Sequence, residues 1–199
     1  LSFVPSSKVR LLKTSGAKTA LTDALEGFKF IRRTPMLFGA ISLDLAAVLF
    51  GGAVALLPAI AEDRLGVGAV GLGWLRAAVG IGAGVVAITM AIRPLSRHIG
   101  KTLLFVVAIF GLGTIVLGLS QNYALAFIAV LILSGADAVS MFIRATLVPL
   151  ATPGHMRGHV LALENVFIGA SNELGAFESG VTAALMGLTG AIIFGGAGT

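Results

Sequence analysis

Long apolar runs, separated by short polar segments, dominate the chain from residue 36 onward. A helix needs about 20 residues to cross a bilayer, and five of these runs are long enough. A sixth run begins at Gly190 and stops before it reaches that length. The pattern therefore predicts an all-α, polytopic transmembrane helix bundle with five full spans plus the start of a sixth. The expected bounds are residues 36–60, 70–92, 102–119, 123–150, 160–188 and 190–199.

The residues before the first span follow a different pattern. Residues 1–20 are basic and irregular, which predicts a cytoplasmic linker. Over residues 21–34 the apolar side chains recur every three or four positions, which is typical of an amphipathic helix lying at the membrane interface. Pro35 ends this pattern because its nitrogen cannot donate a backbone hydrogen bond. Residues 36–199 are expected to form the transmembrane bundle.

Composition favours a membrane protein and excludes several other classes. Hydrophobic residues make up 57% of the 199 residues and charged residues 12%, whereas soluble domains carry about 25% charged residues. The chain has no cysteine, so disulfides and thiolate metal sites are excluded. The net charge of +5 does not indicate a nucleic-acid partner, because the basic residues do not form one stripe. The expected surroundings are the lipid bilayer.

The distribution of Lys and Arg indicates which loops are cytoplasmic. These residues concentrate in the leader and in the loop at 93–101, and the loop at 152–159 holds Arg157 with two histidines. The connection after the first span sets Arg64 against two acidic residues, and the connection after the third span has no charge. The positive-inside rule places the basic segments in the cytoplasm, and this assignment alternates consistently across all five crossings. The sequence therefore predicts a multi-pass protein of the cell membrane with a cytoplasmic leader.

Seven ionisable residues fall within or at the edge of the spans, where each is costly unless it faces protein or water. They are Asp44, Arg76, Asp137, Arg144, Glu164, Glu173 and Glu178. At about 1.5 Å per helical residue, four of them reach a similar depth on the cytoplasmic side and are expected to form one cluster. These four are Asp44, Asp137, Arg144 and Glu164. The third span carries no charge, so we expect it to face lipid while the other four spans surround a polar interior.

Polar residues of the fifth span repeat every seven positions, which is nearly two helical turns. One series is Glu164, Ser171 and Glu178, and the neighbouring series is Asn165, Asn172 and Ser179. Two such stripes are typical of the wall of an aqueous cavity. The candidates for lining it are Arg76, Asn165, Asn172 and Glu164. Hydrogen bonding between helices is the other common use of an intramembrane Asn, and that alternative stays open.

Asp44 is the first candidate for proton coupling, because it is the sole charge in its span and a carboxylate withdrawn from water can exchange a proton near neutral pH. Glu173 and Glu178 are further candidates. Asp137 and Arg144 are expected to belong to a structural charge cluster, since buried ion pairs stabilise many helix bundles. A functional role for this pair is the alternative.

Neither a metal site nor enzymatic activity is expected. His155 and His159 are four residues apart, a spacing that two metal ligands can have, but their loop lacks a carboxylate cluster. Solvated histidines therefore explain the spacing better. An intramembrane hydrolase needs a nucleophile with a base, or paired catalytic carboxylates. The spans contain no cysteine or histidine, and their carboxylates show no recognised pairing motif.

Three segments resemble the major facilitator superfamily of transporters, and within it the enterobactin-exporter-like branch. Residues 25–78 resemble the end of the central loop and the seventh helix onward, with the sequence LEGFKFIRRTPMLFGAISLDLAAVLFGGAVALLPAIAEDRLGVGAVGLGWLRAA. Residues 93–104, RPLSRHIGKTLL, resemble the second copy of the cytoplasmic loop signature G-x-x-x-D-R-x-G-R-K. Residues 151–180 resemble the connection between helices ten and eleven, followed by helix eleven.

This resemblance implies that the spans are helices seven to eleven plus the start of helix twelve, so that the chain is the C-terminal half of a transporter. It implies export of a small lipophilic or siderophore-like compound by alternating access. It further implies that a proton gradient supplies the energy without a cofactor, and that the location is the bacterial inner membrane. The implied partner is the missing N-terminal six-helix half.

The loop signature departs from the family pattern at one position. Arg97, Gly100 and Lys101 match it, but Ser96 stands where the signature has Asp, which puts the usual latch to a neighbouring helix in doubt. A competing hypothesis is a non-transporting membrane scaffold or partner module, in which the polar stripes only pack helices together. Protection of span-five residues by a transported substrate distinguishes the two hypotheses.

Overall fold

The computed structural model of the chain describes residues 17–93 and 99–199, and their side chains from residue 25 onward. These residues form helices joined by short connections, without a β-strand among them. Five helical segments are long and apolar enough to cross a membrane by length and composition, so the predicted all-α transmembrane bundle is confirmed. The helices are α1 (Ala17–Arg33), α2 (Pro35–Phe50), α3 (Leu57–Ala59), α4 (Gly68–Ile92), α5 (Ile99–Leu119), α6 (Tyr123–Ala151) and α7 (Arg157–Gly198).

The amphipathic helix α1 begins at Ala17, inside the segment expected to be an irregular linker. The first 16 residues of that linker lie outside the described part of the chain. Ile31 of α1 is buried in a small apolar cluster with Val148 near the end of α6 and Val160 near the start of α7. Phe28 meets the ring of Phe167 edge-on, with the ring centroids 6.3 Å apart. α1 therefore packs against the first part of α7.

The first span is not one continuous helix over residues 36–60, as expected from the apolar run. α2 ends at Phe50, a 3-10 turn covers Gly52–Val54, and a π-helical turn over Ile60–Arg64 follows the short α3. Gly52 lies against the backbone of α7, where an added Cβ would come within 2.6 Å of the Gly175 carbonyl oxygen. Pro58 adds to the break because it cannot donate the next helical hydrogen bond.

The fifth and sixth apolar segments are separated by a break at Gly187, next to the boundary expected at residues 188–190. Gly187 has φ 76° and ψ 165°, a backbone conformation that L side chains rarely adopt, which explains a glycine at this position. The helix that follows packs on α5, where an added Cβ on Gly111 would lie 2.8 Å from the carbonyl oxygen of Gly196. α7 thus contains two helical parts with different neighbours.

The expectation that the third span only faces lipid is wrong for one side of α5. Leu104, Phe105 and Leu112 are exposed, but the opposite face is buried and includes Val106 and Leu117. That face packs against α2, α6 and the last part of α7. The absence of charge means only that α5 can face lipid. Its glycines also allow other helices to pack closely against it, and this explains the buried face.

Glycine substitutions on α4 test this packing. An alanine Cβ at Gly82 would clash with the carbonyl oxygen of Leu131 on α6, whereas Gly80 and Gly84 have open space around them. We expect Gly82→Ala to lower the stability of the bundle in detergent by about 1–3 kcal/mol, the usual cost of overpacking. The matched control Gly80→Ala should be neutral or slightly stabilising, since Ala favours helix by about 1 kcal/mol. Equal thermal unfolding of both variants would contradict the close α4–α6 contact.

Candidate transport site

Arg144 of α6 joins two carboxylates from two other helices. Its Nη2 lies 3.0 Å from Oδ2 of Asp44 on α2, and its Nη1 donates a hydrogen bond of 3.3 Å to Oε1 of Glu164 on α7. Ser140 donates a further hydrogen bond of 2.9 Å to Oδ1 of Asp44. All four residues are buried, with Asp44 only 2% exposed. We call Asp44, Ser140, Arg144 and Glu164 the charge network.

The sequence explains why these residues meet. Ser140 and Arg144 are four apart and therefore lie on the same face of α6, so both reach the same carboxylate of α2. The guanidinium is a planar fork whose two terminal nitrogens can serve two partners, which a lysine cannot do in this geometry. Arg144 Nε has no hydrogen-bond partner among the described residues. The network ties α2, α6 and α7 together at a level of the bundle that precedes the break after Phe50.

Asp137, the fourth member of the expected cluster, lies beside the charge network and not within it. It is half-buried and forms no ion pair with any residue in the described ranges. A void of about 10 Å³ lies between Asp137, Asp44 and Ser140. This is about the space that one water molecule needs. Asp137 therefore neighbours Asp44 without pairing directly with Arg144.

A larger cavity of about 350 Å³ begins on the other side of Asp137. Its polar lining side chains are Ser134 and Asp137 of α6 and Asn172 of α7, and its apolar lining includes Phe110 of α5. The non-α-helical segment that follows α2, over residues 51–55, also lines this cavity. Ser134 Oγ is buried and has no hydrogen-bond partner among the described residues. We call this space the central cavity.

The other candidates occupy different places. Asn172 lines the central cavity and donates from Nδ2 to the carbonyl of Ile168, at 3.0 Å. Glu178 is half-buried, with Oε1 lacking a hydrogen-bond partner within the described chain. The remaining candidates do not line the central cavity. Glu164 belongs to the charge network. The others are exposed: Arg76, Asn165, Glu173, Gly100 and Lys101. Arg97 lies outside the described residues.

Two serines of the site, Ser134 and Ser140, were not among the sequence candidates. Each has a signal in the sequence, since Ser134 precedes Asp137 by three residues and Ser140 precedes Arg144 by four. These spacings put each serine on the face of its charged neighbour. No group of three or more His, Asp or Glu side chains suited to a metal ion occurs in the part of the chain that the structure describes.

A family model for the Major Facilitator Superfamily matches residues 1–176. The chain belongs to this superfamily. The superfamily part of the expected resemblance is therefore confirmed, and a membrane transporter with bilayer and small-molecule partners follows from it. Searches of curated proteins and of solved structures each gave no match. As a major facilitator chain, the bundle is expected to act as a transporter rather than as an enzyme.

The charge network of this major facilitator chain makes a specific stability prediction. Arg144→Ala leaves the carboxylates of Asp44 and Glu164 buried without their cation, and breaking a buried pair in this way costs about 3–5 kcal/mol. We expect a correspondingly lower midpoint of denaturant unfolding in detergent. The control Arg157→Ala removes an exposed arginine of α7 and should change stability by less than about 0.5 kcal/mol.

A neutral variant separates charge from packing in the same experiment. Asp44→Asn, Arg144→Met and Glu164→Gln together remove all three charges and keep similar side-chain volumes. Because none of the three network side chains is then charged, we expect most of the stability lost in Arg144→Ala to return. A triple variant as unstable as Arg144→Ala would show that lost shape, and not lost charge, causes the effect.

Proposed function

We propose that the chain is the C-terminal half of a proton-coupled exporter related to the enterobactin-exporter-like branch. It carries a small lipophilic or siderophore-like compound out across the bacterial inner membrane by alternating access, together with an N-terminal six-helix half. The observation that carries this proposal is the position of Asp137, which borders both the central cavity and the void beside Asp44. A group that takes up protons next to a ligand cavity is what proton-coupled transport requires.

The charge balance of the site supports proton coupling. Asp44 and Glu164 pair with one guanidinium and Asp137 lies beside Asp44, so the fully ionised group carries excess negative charge. Uptake of a proton reduces that excess. Protonation of Asp44 also weakens its attraction to Arg144 and so loosens the link between α2 and α6. Movement of these two helices changes the central cavity, because both of them line it.

Exposed faces of the bundle support a partner half. α4 is the least buried of the candidate spans, and three of its glycines, Gly73, Gly80 and Gly84, have open space around them. Glycines on a helix face allow another helix to approach closely. α7 similarly exposes Asn165 and Glu173, which are polar side chains that lipid does not accommodate well. A second six-helix half covers such polar and glycine-rich faces.

Asp44→Asn tests proton coupling. The substitution keeps the size of the side chain and an acceptor for Ser140, but removes the group that binds the proton. In inverted membrane vesicles with the full-length protein, we expect an imposed proton gradient to drive transport of the neutral dye Nile red at least tenfold more slowly. Glu173→Gln and Glu178→Gln test the two further candidates in the same assay.

Glu62→Gln, at an exposed carboxylate of the first connection, is the matched control and should transport normally. Unchanged gradient-driven transport in Asp44→Asn would remove Asp44 from the coupling mechanism. If neither the parent protein nor any variant transports the dye, single cysteines introduced on α7 should be tested for protection from maleimide labelling by bound Nile red. Absence of both transport and protection favours the scaffold hypothesis.

The proposed orientation has a direct test, because this sequence contains no cysteine. Gln121→Cys and His155→Cys each place one thiol in an exposed connection, on opposite sides of the membrane. We expect a membrane-impermeant maleimide to label Gln121→Cys in intact cells, and His155→Cys only after the cells are permeabilised. The reverse labelling pattern would place the basic loops outside and overturn the orientation.

A further inference from the structure

The central cavity has the size and the lining of a site for a small organic molecule. Its volume of about 350 Å³ lies within the range of about 300–1,000 Å³ that is usual for ligand pockets. Most of its lining is apolar, including the side chains of Val79, Phe110 and Leu133. Asp137 is the one ionisable residue among those that line it. The site therefore combines an apolar wall with a single negative charge.

The charge of Asp137 is not balanced by Arg144. Both terminal nitrogens of that guanidinium are engaged, one with Asp44 and the other with Glu164. Asp137 forms no ion pair within the described residues. A carboxylate next to apolar surface is costly without a counterion. A cationic group in the cavity would offset this cost.

Two neutral oxygens accompany this carboxylate. Ser134 is one helical turn before Asp137, is only 5% exposed, and its Oγ has no hydrogen-bond partner among the described residues. Asn172 lines the cavity from the facing helix α7, and since its Nδ2 already donates to Ile168, its Oδ1 is left to accept. An ammonium group has only donors, so three acceptor oxygens match its chemistry. The ring of Phe110 adds an aromatic surface, which cations also favour.

We propose that the central cavity binds a lipophilic cation and that Asp137 is its counterion. The class comprises compounds with one permanently charged or protonated centre and apolar substituents, such as a lipophilic amine or a quaternary onium ion. This inference rests on the proposed transport function and narrows its substrate class. Anionic compounds, including catecholate siderophores, are disfavoured because the cavity places a carboxylate and no cationic residue against them.

The test measures binding of tetraphenylphosphonium to the purified full-length protein in lipid nanodiscs. We expect Asp137→Asn to raise its Kd at least tenfold, because the substitution keeps the shape of the side chain and removes its charge. Tetraphenylborate has nearly the same shape with the opposite charge, and we expect it not to compete. Glu62→Gln, an exposed carboxylate outside the cavity, should leave the Kd within twofold of the parent value.

A second variant tests the hydrogen-bonding part of the site. Ser134→Ala should weaken binding of a protonated lipophilic amine severalfold, because the amine loses an acceptor. The same variant should leave tetraphenylphosphonium binding unchanged, since this cation has no hydrogen to donate. Thermal unfolding of each variant in the same nanodiscs shows whether a loss of binding reflects a loss of folding.

Failure of this inference differs from failure of the transport proposal. Equal binding of tetraphenylphosphonium and tetraphenylborate, or binding unaffected by Asp137→Asn in a folded protein, overturns the cation site. Nile red transport driven by a proton gradient can persist in that case, and the proposed function then stands. If the cation binds through Asp137 but no gradient drives transport, the site stands and proton coupling fails.

Discussion

The guanidinium of Arg144 holds a carboxylate of α2 and a carboxylate of α7, and the arrangement of the bundle around the central cavity depends on this double ion pair. α6 packs closely against α4 and α5, and α7 packs closely against α2 and α5, whereas α6 contacts α2 and α7 only weakly. Arg144 adds a direct link from α6 to α2 and α7. The central cavity lies next to this link, with lining residues from α2, α6 and α7.

This arrangement assigns different tasks to carboxylates that look alike in the sequence. Asp44 and Glu164 both pair with Arg144 and are almost fully buried, so their contacts hold α2 and α7 to α6. Asp137 is on the same helix as Arg144 but faces the cavity with its charge unbalanced. The void between Asp137 and Asp44 has about the volume of one water molecule, so the two carboxylates lie close together. A change in the charge of Asp137 therefore changes the electrostatic environment of the ion pair between Asp44 and Arg144.

The sequence was sufficient for the fold class, because apolar runs of this length have few alternatives to membrane helices. It also indicated that Asp44, Arg144 and Glu164 lie at one depth. It did not predict their pairing, since Arg144 and Asp137 share a face but are seven residues apart, which is about 10 Å along the helix axis. Arg144 instead reaches two neighbouring helices, and this depends on how those helices are rotated.

The break after Phe50 and the buried side of α5 were missed for a related reason. Glycines are frequent in membrane helices, and only the neighbouring backbone shows which of them permit close contact. In the sequence, Gly51 and Gly52 cannot be distinguished from the other glycines of the chain. In the structure, Gly52 packs against the backbone of α7, whereas Gly73 has open space around it. Ser134 and Ser140 were missed because serine is common in membrane helices. Their importance comes from the charged residues one turn away.

The backbones of α2 and α7 come close at Gly175, where an added Cβ would lie 2.7 Å from the carbonyl oxygen of Val48. Gly52, just beyond α2, lies against Gly175 and the hydroxyl of Ser179. A close contact of this kind can serve as a pivot for a rotation of one helix against the other. Asp44 is eight residues from Gly52, a lever arm of about 12 Å along the helix. A swing of about 10° about this pivot displaces the carboxylate by about 2 Å. A displacement of this size away from Arg144 would break the 3.0 Å contact between the Asp44 carboxylate and the guanidinium.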